Sequence, residues 1–131
     1  MVDQEERIHE VVGSIMSLPG SELVDFIYLY GSVAQLKSHP GSDIDICIYH
    51  RGSEQDADKF LLSVMSAIDS SIFDVKLFRQ LPIYIRIEVL KGRLLYSGKI
   101  SNVYEIAYET IKEYEEFEPR FFDYIGKEAL H

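Results

Sequence analysis

Phe26-Ile27-Tyr28-Leu29-Tyr30-Gly31-Ser32, then ten residues, then Asp43-Ile44-Asp45-Ile46-Cys47-Ile48-Tyr49, is the stretch on which the reading turns. Both flanks are rich in aromatic and branched residues, which suit a pleated surface. They predict two strands joined through a Gly-Ser turn and a short helical or looped segment. Residues two apart in a strand share a face. Asp43 and Asp45 then point to one side, and Ile44, Ile46 and Ile48 to the other. Two carboxylates side by side repel, and a divalent cation, which hard oxygen ligands suit, makes them tolerable. At the other end, Gly31 lets the backbone approach a ligand. A turn that enters a helix presents free N–H groups to an anion. A phosphate cradle and a pair of metal ligands together are what a nucleoside triphosphate with bound magnesium requires.

Working outward, Asp3 followed by Glu6 reads as a helix N-cap with an acid in the first turn. Ile8, Val11, Val12, Ile15 and Leu18 recur at helical spacing, and Pro19-Gly20 stops the helix. The first strand is expected over 23–30. After the second strand, His50-Arg51-Gly52 reads as a loop and Ser53 as an N-cap. Ala57, Phe60, Leu61, Val64, Met65 and Ile68 form an apolar stripe on the helix that follows, all expected in the core. Ser70-Ser71 leads into a third strand, where Phe73, Val75 and Leu77 face one way and Asp74, Lys76 and Phe78 the other. Residues 83–89 alternate apolar and polar as a strand would. Pro82 and Gly92 instead suit a helix start and end, and a helix is expected. Leu94-Leu95-Tyr96 makes a short strand. A last helix from Ser101 carries Val103, Ile106, Ala107, Ile111, Tyr114 and Phe117 on one side and glutamates on the other. Pro119 is expected to end or kink it, and its aromatics to pack back on the sheet.

Gly-Ser, ten residues and Asp-x-Asp, followed by a strand-borne Asp74, resemble the signature of the polymerase-beta-type nucleotidyltransferases. The shortness of the chain resembles the minimal nucleotidyltransferase (MNT) group. The resemblance spans about 23–96. It implies an α/β (α+β) fold: a small mixed sheet with helices packed on it and a C-terminal helical extension. One domain over 1–131 is expected, with a core of about 1–98 and an extension of about 99–131. It also implies transfer of AMP from ATP, with Asp43, Asp45 and Asp74 as catalytic residues and ligands of two Mg²⁺ ions. Gly31, Ser32, Lys37 and Ser42 are the nucleotide-binding candidates. Lys37, Lys76 and Arg79 are alternative partners for phosphate charge, because Gln35 and Leu36 stand where relatives often carry Arg and Gly. Similar MNT proteins are antitoxins that transfer AMP to a tyrosine of a HEPN toxin. A catalytically weak antitoxin that acts by contact, and an aminoglycoside-type nucleotidyltransferase, are the alternatives. The latter usually needs a second domain to hold its substrate.

Composition narrows the field. The 131 residues, 47% hydrophobic, suit one core. A net charge of −9 with thinly spread Lys and Arg argues against gripping nucleic acid. No apolar run is long enough to span a membrane, and the acidic N-terminus lacks a secretory pattern, so a cytoplasmic location is expected. The single cysteine, Cys47, excludes an internal disulfide and reads as a small buried side chain.

Overall fold

The structure, a computed structural model, describes residues 3–31 and 43–129, with side chains of the last helix as far as Glu118. Helix α1 (Gln4–Met16) is followed by a 3₁₀ turn (Ser21–Leu23) and strand β1 (Val24–Tyr30). Strand β2 (Ile44–His50), helix α2 (Glu54–Ala67) and strand β3 (Phe73–Leu77) come next. A 3₁₀ turn (Phe78–Gln80), helix α3 (Ile83–Leu90), strand β4 (Arg93–Ser97) and helix α4 (Ile100–Ala129) complete the order. The sheet runs β3-β2-β1-β4. β1 is antiparallel to both β2 and β4, and β2 is parallel to β3. The mixed α/β architecture is the one expected.

Local chemistry starts and stops the helices. Asp3 accepts a hydrogen bond from the Glu6 N–H at 2.8 Å, and Ser53 one from Asp56 at 3.1 Å. Each satisfies a donor that the first helical turn leaves unpaired. One face of the sheet, with Ile27, Leu29, Ile44, Ile46, Ile48, Phe73, Val75 and Leu77, packs on Ile8, Val11 and Ile15 of α1 and Ala57, Phe60 and Val64 of α2. The opposite face gathers Phe26, Tyr28, Tyr30, Cys47 and Phe78 beneath Val89 of α3 and Val103 of α4. Phe26 anchors this second layer with edge-on contacts to Tyr28 and Phe78, both at 5.1 Å between ring centroids.

Residues 83–90 are helical despite their alternating pattern. The helix is short and lies between β1 and α4, so apolar residues on both of its sides find cover. Arg86 of α3 donates two bonds to Glu113 of α4, at 2.9 and 3.2 Å, and a third to the Leu81 carbonyl. Where the chain turns into β4, a Cβ on Gly92 would run into the Leu29 carbonyl, so only glycine fits that approach.

Several expectations are corrected. β1 begins at Val24, because residues 21–23 form the 3₁₀ turn. Pro82 caps α3 from outside with extended backbone and is not its first residue. His50 belongs to β2 and is buried, accepting from the Gly52 N–H through Nδ1 and facing the Gly20 carbonyl through Nε2. Met65 is exposed, because α1 and β3 cover only the arc of α2 centred on Phe60 and Val64. Ile111 is exposed too, and Thr110 takes the buried place with its hydroxyl bonded to the Ile106 carbonyl at 2.7 Å. Tyr104 and Tyr108 stand in solvent, because α4 turns Val103 and not its tyrosines towards the sheet. The helix runs through Pro119 to Ala129, so the proline does not end it. The aromatic side chains at Phe121, Phe122 and Tyr124, with Ile125, lie outside the described residues.

A buried acid ties the termini of the elements together. Asp25 on β1 accepts from Arg51 at 3.1 Å and from Asn102 of α4 at 3.2 Å. Arg51 also donates to the Glu22 carbonyl at 2.9 Å. Asp25→Ala leaves Asn102 without this partner and should lower stability by about 1–3 kcal/mol. Urea unfolding measures it, and an unchanged midpoint would show that water replaces the cluster at no cost.

Candidate active site

The site lies where β1 ends and β2 and β3 begin. Tyr30 pairs with Asp45 across β1 and β2, and Asp45 lies beside Asp74 across β2 and β3. The three form one row over adjacent strands, which are spaced about 4.8 Å apart. The next row is Tyr28, Cys47 and Lys76. By alternation both rows point to the face covered by α3 and α4, and the carboxylates sit at its rim. Asp43 immediately precedes β2 and is exposed.

Gly31 shapes this corner. Its backbone has φ +79°, in the left-handed region that side chains disfavour. A Cβ there would collide with Oδ2 of Asp45. The missing side chain is the space that the carboxylate occupies.

The electrostatics follow from crowding. Burial raises the pKa of Asp45 above the ordinary 3.8, and the charges of Asp74 and Asp43 raise it further, while Lys76 pulls the other way. Burial also raises the Tyr30 phenol, helped by Cys47, Asp45 and Asp74, so it stays protonated. Burial alone raises the Cys47 thiol, which leaves it inert. Lys76 Nζ lies 3.4 Å from Oδ1 of Asp74.

A partly buried carboxylate beside two others carries a charge that asks for a cation. The all-oxygen donor set suits a hard divalent ion such as Mg²⁺. Among the described residues, no three His, Cys, Asp or Glu side chains already form a ligand cage. Asp45 and Asp74 are neighbours, and Asp43 acts on Asp45 from just before the start of β2.

The family model for polymerase beta, nucleotidyltransferase, matches residues 15–101, which contain this whole corner. The chain belongs to the polymerase-beta nucleotidyltransferase family. A Methanocaldococcus jannaschii protein provisionally named a protein adenylyltransferase is 31% identical over 94 residues, which are 72% of each chain. Among solved structures, a toxin–antitoxin complex with AMP-PNP is similar at a TM-score of 0.70 and 20% identity, over 98% of this chain and 100% of that one. The Shewanella oneidensis complex of a tri-AMPylated HEPN toxin with its MNT antitoxin is similar at a TM-score of 0.69 and 17% identity, over 98% and 100% of the two chains. An MntA toxin–antitoxin complex with two aspartate-to-glutamate substitutions reaches a TM-score of 0.72 at 18% identity, over 95% and 98%. The chain is therefore a nucleotidyltransferase with the polymerase-beta-like fold that these structures share.

Within this nucleotidyltransferase, Gly31, Asp43, Asp45 and Asp74 come to one corner. Ser32, Lys37 and Ser42, with Gln35, Leu36 and His39, lie outside the described residues. Arg79, one of the three cations considered for phosphate, serves elsewhere. It donates to the carbonyls of His50 at 3.1 Å and Gly52 at 2.8 Å, at the far end of β2. Nothing in the motif itself marks Tyr30 as a site residue. The signal was available, since Tyr30 directly precedes Gly31 and pairing β1 with β2 places it opposite Asp45. That pairing depends on where the intervening turn folds, which composition does not reveal.

Proposed function

We propose that the protein transfers AMP from ATP to a hydroxyl on a partner protein, a tyrosine of a HEPN-type toxin: the hydroxyl oxygen bonds to the α-phosphorus and pyrophosphate leaves. The observation that carries this reading is the row of Asp45 and Asp74, with the Asp45 carboxylate seated in the space that Gly31 leaves. Its support is the provisional adenylyltransferase name of the M. jannaschii relative and the AMPylated HEPN toxin in the S. oneidensis complex. Asp43, Asp45 and Asp74 would hold Mg²⁺. When bound, Mg²⁺ would neutralise triphosphate charge and lower the pKa of the acceptor hydroxyl. Gly31 makes room for the Asp45 carboxylate at this corner, and Asp74, on the edge strand, is the carboxylate that would take up the proton of the acceptor hydroxyl. Tyr30, kept protonated, offers only an O–H and does not add a third negative charge to its row.

The test is incubation with α-labelled ATP, Mg²⁺ and lysate of the native host, followed by mass spectrometry of every labelled species. An AMP–tyrosine adduct on protein is expected. Label on an aminoglycoside or on RNA ends, with none on protein, overturns the acceptor assigned.

A second reading, neutralisation of a partner by contact, is favoured by the surface of α4. Ile100, Tyr104, Tyr108 and Ile111 follow one helical face and are 47%, 69%, 66% and 47% exposed. Partner binding that survives Asp45→Asn, with toxicity still suppressed, would select contact over chemistry.

A further inference from the structure

We propose that Lys76 is the cation that engages the phosphates of the incoming nucleotide, leaving Asp74 to do so. This rests on the nucleotidyl-transfer reading above. Three carboxylates and a triphosphate bring more negative charge than a pair of divalent ions offsets, so the site needs a further cation. Lys76 is on β3, an edge strand of the sheet, two residues from Asp74 and on the same face. Its side chain is 48% exposed and that of Asp74 43%, and their contact of 3.4 Å is long for an ion pair. Such a solvated pair holds weakly and can be exchanged. A lysine ammonium on a flexible stem suits that exchange better than a fixed arginine fork.

The described arginines at the sheet are engaged elsewhere. Arg79 holds the His50 and Gly52 carbonyls and lies 6.0 Å over the Tyr49 ring. His50 is five residues from Asp45 along β2, about 17 Å at strand rise. Arg86 is bonded to Glu113, Arg51 to Asp25 and Arg93 to Glu5. Lys76 is the described cation whose field reaches Asp45. Gln35 and Leu36 bring no charge and Lys37 lies outside the described residues, so among the described residues the cation placed for phosphate is on β3.

The test compares wild type with Lys76→Met and Lys76→Arg in Mg²⁺. Calorimetry reads affinity for a non-hydrolysable ATP analogue, and competition reads affinity for adenosine. Lys76→Met should weaken the ATP analogue about tenfold or more, leave adenosine unchanged and flatten the salt dependence. Lys76→Arg should recover most of the loss. Equal weakening of analogue and adenosine would mark Lys76 as structural and overturn the proposal. So would an unchanged analogue affinity in folded Lys76→Met. Wild type that binds no ATP analogue overturns both this proposal and the nucleotidyl-transfer reading, so the two failures are distinguishable.

Discussion

Asp45→Asn should abolish nucleotide transfer and raise the melting temperature of the metal-free protein at neutral pH. The expected loss of turnover is about 10³-fold or more, the several kcal/mol that metal-assisted charge stabilisation supplies. The gain in stability has a definite sign. The carboxyl of Asp45 is raised above its ordinary 3.8 in the fold by burial and by Asp74 and Asp43. Between the unfolded and folded values the native state holds a proton that the unfolded chain has released, so stability falls as pH rises. Above the folded value the cost is complete. The asparagine variant escapes it, so the two proteins should melt alike below about pH 4, where both states bind the proton, and diverge above. Calorimetric melts over pH, beside a transfer assay with labelled ATP, check both halves. An Asp45→Asn protein with wild-type turnover would remove Asp45 from the chemistry. One that melts lower than wild type at pH 7 would show that its charge is already compensated in the fold.

Gly31→Ala should disable the enzyme through Asp45 without replacing any carboxylate. Two costs coincide at this position. An L side chain at φ +79° is strained by about 1–2 kcal/mol, and the new methyl group would meet Oδ2 of Asp45. Asp45 must rotate or β1 must shift. Displacing a catalytic group by about 1 Å is worth on the order of 10²-fold in rate. The double substitution separates the two costs. In an Asp45→Ala background the collision is absent, and the stability penalty of Gly31→Ala should shrink to the backbone term. Equal penalties in both backgrounds would mean that Gly31 is required for its backbone alone. Urea midpoints of the four proteins decide.

Much of this architecture is legible locally. Asp3 and Ser53 are caps because their oxygens reach N–H groups three residues on, a relation contained in a few consecutive residues. Asp43, Asp45 and Asp74 are candidates because period-two alternation assigns each a face without knowledge of any partner. The helix at 83–90, expected from Pro82 and Gly92, shows where periodicity alone stops. Its alternating pattern fits a strand, and it is a helix because β1 and α4 enclose it from two sides. Met65, Ile111 and the tyrosines of α4 carry the same lesson. A stripe at helical spacing says which residues can be buried, and the packed neighbour decides how wide an arc is covered.

The chain on its own terms determined the family, the element types and the acids proposed to carry the chemistry. All three follow from short-range spacing and turn geometry. Strand order, and with it the register that sets Tyr30, Asp45 and Asp74 in one row, was decided by the tertiary structure. So was the assignment of Arg79 to the far end of β2 and of Lys76 to the carboxylates. Those placements join residues tens of positions apart. Sheet register and the competition of cations for carbonyls and carboxylates set them, and neither is written in any local run of residues.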